Sequence, residues 1–521
     1  MDHENIYTVE ESVLFSESKI WALNRDYYQT VGLDAWSKGS VPHHITSNSK
    51  VGKTYAEIIF GFLKDLAFKG QTTEILYILE LGAGHGRLAF HTLKHLDQLI
   101  EQAQIKLPPF CYVLSDIVES NLDFFLTHPQ FKDYLDRGIL DVCYFDGIQS
   151  EELQLRVSGK NLKRDDLKQP IMAIANYFFD SIPSDLFSIK DDEMKSCEVA
   201  LTSYDNPDTT TSEALLKNLK LDFTTKEISG KFYNDTICNE LLNSYKSLLK
   251  NAHLLFPATA IQCIENLKNL SSKGLIIISM DKGVHEIHDL ENSKIPRMVT
   301  HGSMSFSVNY HALGLHCNKS NGTVMFPTYS TFHLEVACFM YLKESESYSE
   351  TRLAYKRYVD DFGPDDLNSL KKLAYKHIPK MNISELIGLS RWFSYDSTIF
   401  IHILPRLKFL VSNVTYNERT RVFQTLNEVW KMHFSINELH DIAFEIGGIL
   451  YQLAYFDEAI EYFQHSEDKF GNSPDVLYNK ALCYYQLRKD DDFTKTLLLA
   501  KTSYPEFESL KHLEKLDLNA V

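Results

Sequence analysis

Residues Tyr77 to Leu88 read YILELGAGHGRL, an apolar run, glycines at 82, 84 and 86, and the first turn of an apolar-periodic segment that continues to Leu99. A strand that enters a glycine turn and leaves as a helix opens a βαβ unit, which constrains the surrounding chain to an open, mostly parallel sheet with helices on both faces. Without Cβ atoms at Gly82, Gly84 and Gly86 the backbone can bend sharply and approach a ligand, and the free N–H groups at the start of the helix favour an anionic group. Spacing separates the candidate ligands. The dinucleotide fingerprint G-x-G-x-x-G needs glycine at 87, where Arg87 stands. Glu80 ahead of the loop would repel a pyrophosphate, whereas it suits the ammonium and sulfonium charges of S-adenosylmethionine, whose carboxylate would meet the helix start. The expected cofactor is therefore S-adenosylmethionine, leaving as S-adenosylhomocysteine.

The segments that follow keep the pattern. EILYILEL from Glu74, FCYVLSD, LDVCYFD and PIMAIAN are short apolar runs separated by helix-length stretches, the signature of buried parallel strands alternating with helices. Later runs, GLIIISMD from Gly274 and TFHLEVACF from Thr331, supply further strands. Ligands of such sheets bind outside the carboxyl ends of the strands. Asp116, ending YVLSD, can accept both ribose hydroxyls; Asp146, ending VCYFD, can accept from the adenine amine; Asn176, ending IMAIAN, falls near the point of methyl transfer. With their neighbours Ala83, Ile117, Phe145 and Gly147, these residues and the loop form the expected donor site.

Four regions are expected. Residues 1–73 read as an N-terminal helical cap, with helical patterns at Ser16 to Gln29 and Thr54 to Phe68 around a polar segment, Pro42 to Lys53, that is a candidate lid. Residues 74–344 form the Rossmann-like α/β domain, interrupted by an insertion at 188–235 in which Ser196 to Ser229 holds two strand-like pieces flanking the polar NPDTTTS, after which helical patterns at Asp235 to Lys250 and Ala258 to Asn269 lead back into the sheet at Gly274. Residues 345–434 are a helical linker region punctuated by Pro364, Pro379 and Pro405. In 435–521 the tripeptide Tyr451-Gln452-Leu453 recurs as Tyr485-Gln486-Leu487, and Gly447 matches Ala481, both 34 positions later. That is the tetratricopeptide period, with small residues Gly447 and Ala459 where two helices must approach closely and Phe463 across from them.

Composition excludes several classes. A formal charge of -17 argues against a polyanion, so nucleic acid is not an expected partner. The eight cysteines are scattered without a C-x-x-C pair, as reduced structural thiols are. His43, His44, His85, His301, His311 and His333 show no metal-binding helical spacing, so no metal is expected. No apolar stretch approaches the roughly 18 residues of a membrane span, and the polar N-terminus lacks a signal-peptide pattern. A cytoplasmic location is the expectation.

Three segments resemble the MidA-like methyltransferases, a family that includes a mitochondrial complex I assembly factor methylating a protein arginine. ELGAGHGRL is one; ANYFFDSIPSDLF (Ala175 to Phe187) looks like that family's ANEFFDALPV; SFSVNYHAL (Ser305 to Leu313) is similar to its DLTAHVDFSAL. The resemblance spans approximately residues 40–340, and its combination with a C-terminal tetratricopeptide region is similar to a group of bacterial proteins. It implies that Gly82, Gly84 and Asp116 hold the donor and that Asn176 and Asp180 line the acceptor side. Tyr177 stands where the family's arginine methyltransferases have Glu, so the acidic grip on a guanidinium is partly missing and Asp180 is the residue left to supply it. Asn176, Tyr177 and Asp180 are the candidate catalytic residues, the last two as proton acceptors. The expected activity is methylation of a protein side chain, the repeat region binding substrate or partner. The competing expectation is a donor-binding or degenerate module within a tetratricopeptide scaffold; a nicotinamide oxidoreductase is disfavoured by Arg87.

Overall fold

The computed structural model describes residues 6–41, 45–329 and 334–518. Pro42 to His44 of the expected lid, Thr331 to His333 of the last strand run and both chain ends lie outside the described residues. The chain divides into two compact units, Met1–Asn368 and Ser369–Val521.

In chain order the first unit contains β1 (Tyr7–Leu14), α1 (Lys19–Val31), α2 (Ser49–Phe68), β2 (Leu76–Leu81), α3 (Arg87–Gln102), β3 (Phe110–Asp116), β4 (Leu140–Tyr144) and β5 (Ile171–Asn176). There follow β6 (Asp185–Lys190), β7 (Glu193–Ser203), β8 (Lys220–Glu227), α4 (Thr236–Leu248), β9 (Asn251–Phe256), α5 (Ala258–Asn269) and β10 (Gly274–Asp281). A hairpin of β11 (Val299–His301) and β12 (Ser303–Ser305), then α6 (Tyr310–Lys319), β13 (Thr323–Met325) and β14 (Glu335–Leu342), complete it.

The main sheet has the order β4-β3-β2-β5-β10-β14-β13. Its first five strands are parallel, β14 is antiparallel to β10, and β13 is antiparallel to β14. All six residues of β2 are buried, as a strand covered by helices on both faces requires, which is why it reads as an apolar run with Glu80 as its one charged residue. From β2 the chain moves outward to β3 and β4, then returns to build β5 and β10 on the other side. The crevice between β2 and β5 is thus the topological switch point, where ligands of open α/β sheets bind.

The expected helical character of the N-terminal cap is corrected. Tyr7–Leu14 is a strand, paired antiparallel with β7, and a second sheet runs β1-β7-β6-β9 with β8 also on β7. The insertion at 188–235 is therefore most of a sheet that recruits β1 from before it and β9 from after it. Alternation along β6 gives this sheet two faces. Phe187 and Ile189 join the main core, whereas Leu186 joins a separate cluster with Phe15, Trp21, Tyr27, Val199 and Phe306. The expected lid is partly helical, since α2 begins at Ser49 with Asn48 capping it, its Oδ1 accepting from Val51 N–H at 3.0 Å.

The second unit is helical. Pro364, in the first unit, opens a helix and Pro379 lies in a 3-10 turn between helices, as expected of punctuation, whereas Pro405 sits inside the helix Ser397–Leu410. Two antiparallel hairpins follow, Ile442–Gln452 with Phe456–Phe470 and Pro474–Gln486 with Asp490–Ser503. A Cβ on Gly447 would lie 2.8 Å from the Phe463 ring, the close approach anticipated from the sequence. Gly447→Leu overpacks that contact and costs about 1–3 kcal/mol, to be read as a lower denaturant midpoint for the C-terminal unit. Hydrogen bonds also join residues 35 and 34 positions apart, from Arg419 Nη2 to Ala454 O at 3.1 Å and between Tyr478 OH and His512 Nδ1 at 2.9 Å.

Among the described residues no helix is long and apolar enough to cross a membrane, and no group of three His, Cys, Asp or Glu could hold a metal ion. All eight cysteines are free and buried.

Candidate functional site

A cavity of about 520 Å³ opens at the carboxyl ends of β2, β3, β4 and β5, within the size range of small-molecule sites. Every residue expected from the sequence lines it except Gly86. The loop is built by backbone geometry. Gly82, Gly84 and Gly86 take φ of +60°, +60° and +74°, the left-handed region open to glycine. Ala83 N–H donates to Ser115 O at 2.8 Å and Gly84 N–H to Asp116 Oδ2 at 2.9 Å, so β3 holds the turn. The glycines do more packing than expected. A Cβ on Gly84 would lie 2.9 Å from the Trp36 ring, and one on Gly86 would meet Phe125 and Phe131 at 3.1 Å, away from the cavity.

Two buried carboxyls face the loop. Burial pushes Glu80 up to about 8, against the pull of the Tyr112 hydroxyl, which donates to Oε2 at 2.7 Å, and with a further push from Asp116. Burial likewise lifts Asp116 to about 6, although Val118 and Gly84 N–H groups donate to it. Among the described residues no cationic side chain is hydrogen-bonded or ion-paired to either carboxyl, and a bound cation would favour their ionised forms. Both oxygens of Asp116 accept from the backbone, Oδ2 from Gly84 and Oδ1 from Val118.

Asp146 departs from its expected place. It lies two residues past the end of β4, where Arg25 of α1 pairs with its Oδ2 at 2.6 Å and Ile148 N–H donates to Oδ1 at 3.0 Å. A role in accepting from an amine is shared with a guanidinium already present.

At the other end, Asn176 accepts from the Tyr55 hydroxyl through Oδ1, while its Nδ2 reaches Thr46 O at 3.5 Å. Tyr177 has φ +50°, a strained conformation for an aromatic residue, fixed by its N–H donating to Met280 O at 3.0 Å. Burial raises the Tyr177 phenol, so it stays protonated and is a poor proton acceptor. Asp180 is only 4% exposed. Burial lifts it to about 6 despite the Ser181 hydroxyl at 2.7 Å, nearby Lys282 and Ser305. Asp281 behind it is raised by burial and by the Asp180 charge. Of the two candidates, Asp180 alone can exchange a proton near neutrality.

Sequence reasoning missed Arg25, Tyr28 and Trp36, which bound the cavity opposite the strand ends, and Lys282 and Ser303. The first three sit in ordinary amphipathic sequence and carry no motif. Ser305 opens a segment matched on family resemblance, which was the available signal.

Residues 61–286 match a family model described as "Putative S-adenosyl-L-methionine-dependent methyltransferase". The cofactor expected from the glycine loop is the one that this description names. No curated protein matches the sequence. Among solved structures, an uncharacterised protein from Burkholderia thailandensis is 11% identical, with 65% of this chain and 90% of that chain covered and a TM-score of 0.40. A second from the same organism, bound to S-adenosyl-homocysteine, is 12% identical over 60% of this chain and 74% of its own, with a TM-score of 0.37. The CMeT domain of the citrinin polyketide synthase is 10% identical, covering 51% and 47%, with a TM-score of 0.24.

Proposed function

We propose that this protein is an S-adenosylmethionine-dependent methyltransferase of MidA-like type that acts on a protein side chain. The observation that carries the reading is one cavity at the sheet's switch point with the glycine loop, Glu80 and Asp116 at one end and the buried carboxyl of Asp180 at the other. The donor supplies a methyl group on an electrophilic sulfur, and transfer is an in-line displacement in which the sulfur–methyl bond breaks as the acceptor–methyl bond forms. Glu80 pairs with the donor's positive charge and Asp116 with its hydroxyls. Asn176, oriented by Tyr55, presents its amide at the transfer point, and Asp180 takes the proton that an amine or guanidinium acceptor must lose. Tyr177 offers a neutral phenol where a second carboxylate would grip a guanidinium.

The protein acceptor is supported by the C-terminal unit, whose hairpins recur at the 34-residue tetratricopeptide spacing; stacks of that kind bind proteins on a concave face. Calorimetry with S-adenosylmethionine, S-adenosylhomocysteine and NAD tests the donor reading: the adenosyl compounds bind and NAD does not. Lack of binding by both adenosyl compounds would overturn it. Methyl-labelled donor and cell lysate then give labelled protein with the wild type and none with Gly84→Arg; binding without transfer would favour the scaffold reading.

A further inference from the structure

The cavity has a roof that belongs to a different core from its floor. On α1, Trp21, Arg25 and Tyr28 fall at i, i+4 and i+7, one face of the helix, and all three line the cavity. The neighbouring face puts Ile20 and Tyr27 into the cluster of the second sheet, which also holds Trp21 and has Tyr28 packed against it, and Asn24 Oδ1 accepts from Met304 N–H at 2.9 Å. The roof is thus carried by the second sheet, while the glycine loop and Asp146 are carried by the main sheet. Arg25 is the charged link between them, its guanidinium 2.6 Å from the Asp146 carboxylate, with side chains 29% and 4% exposed. Trp36 is the apolar link, its ring packed over Gly84, edge-on to His85 and stacked on Tyr28. Trp36 thus stands over the glycine loop on the wall of the cavity.

We propose that the Arg25–Asp146 pair is a latch that holds α1 and Trp36 closed over the donor site, making Arg25 a positioning residue that gates entry and exit. The pair joins α1, whose apolar side chains lie in the second cluster, to the turn after β4 in the main core, while the second sheet contributes to both cores, so breaking the pair loosens the roof at one point and keeps the packing of α1. A gate differs from a ligand contact in its kinetics. Losing a contact speeds dissociation alone, whereas loosening a gate speeds association and dissociation together.

The experiment has two arms, the second of which rests on the donor reading. In the ligand-free protein, acrylamide quenching of Trp36, taken as the difference from a matched Trp36→Phe protein, rises in Arg25→Ala and in Asp146→Asn and stays near wild type in Arg25→Lys. In stopped-flow binding of S-adenosylmethionine and S-adenosylhomocysteine, Arg25→Ala raises both rate constants about two- to fivefold, the range of a partly exposed ion pair, so that Kd moves less than either. Faster dissociation alone with Trp36 still shielded makes Arg25 a direct donor contact and overturns the latch. Unchanged quenching and rates overturn it as well. If the wild type binds neither adenosyl compound the donor reading fails, and the quenching arm still decides whether the latch exists.

Discussion

Gly84→Arg abolishes donor binding, with a loss of affinity of at least about 100-fold, near 2.7 kcal/mol, while the sheet stays folded. Three effects act in one direction. At φ +60° a residue with a Cβ is strained by roughly 1–2 kcal/mol. The new Cβ stands 2.9 Å from the Trp36 ring, so the ring has to move. The added guanidinium then enters a cavity whose carboxyls are needed for the donor's own cation. Calorimetry with S-adenosylmethionine reads the affinity and circular dichroism the fold. A folded variant that binds the donor like the wild type would place the donor elsewhere.

Donor binding expels a proton from Glu80. The ligand-free carboxyl is held near 8 by burial, well above an ordinary glutamate, and a neighbouring positive charge favours the ionised form. The sign follows from linkage. A folded-state value raised above the unfolded one means that the native protein keeps a proton over roughly pH 4.5–8 that the unfolded chain has lost, so this group's contribution to stability falls as pH rises through that window. Cation binding reverses the preference, so affinity climbs with pH by up to about tenfold per unit between pH 6.5 and 7.5 and levels off above 8. Asp116, held near 6, adds to the slope only at lower pH. Calorimetry at pH 7 in phosphate and in Tris reads the released proton from the difference in apparent enthalpy. Glu80→Gln flattens the profile above pH 6.5 and weakens binding about 10- to 100-fold, the loss of one charge-assisted partner. A flat wild-type profile without proton release would remove Glu80 from the donor site.

The parallel strands were legible because burial on both faces makes each an apolar run whatever its neighbours are. Leu76–Leu81 and Ile171–Asn176 fall on the expected segments for that reason. The second sheet was legible only in the two strand-like pieces within Ser196 to Ser229, which are β7 and β8; its membership was not. Tyr7–Leu14 buries one residue of eight, and its partner β7 lies some 190 residues away, with pairing such as Tyr7 to Ser203; no local pattern encodes such a partner. Pro405 read as a helix breaker and instead lies within a helix, an instance of tertiary context overriding propensity.

By itself the sequence determined the strand–turn–helix around the glycines, the run of polar residues at strand ends and the 34-residue helical period, because each follows from neighbours a few positions apart. The tertiary structure alone decided that Asp146 is met by Arg25, that Trp36 covers Gly84 and that Asp180 rather than Tyr177 is poised to exchange a proton. Charge compensation, ring packing and burial depend on chain segments brought together from up to 280 residues apart, as Asn24 and Met304 are, and no local spacing records them.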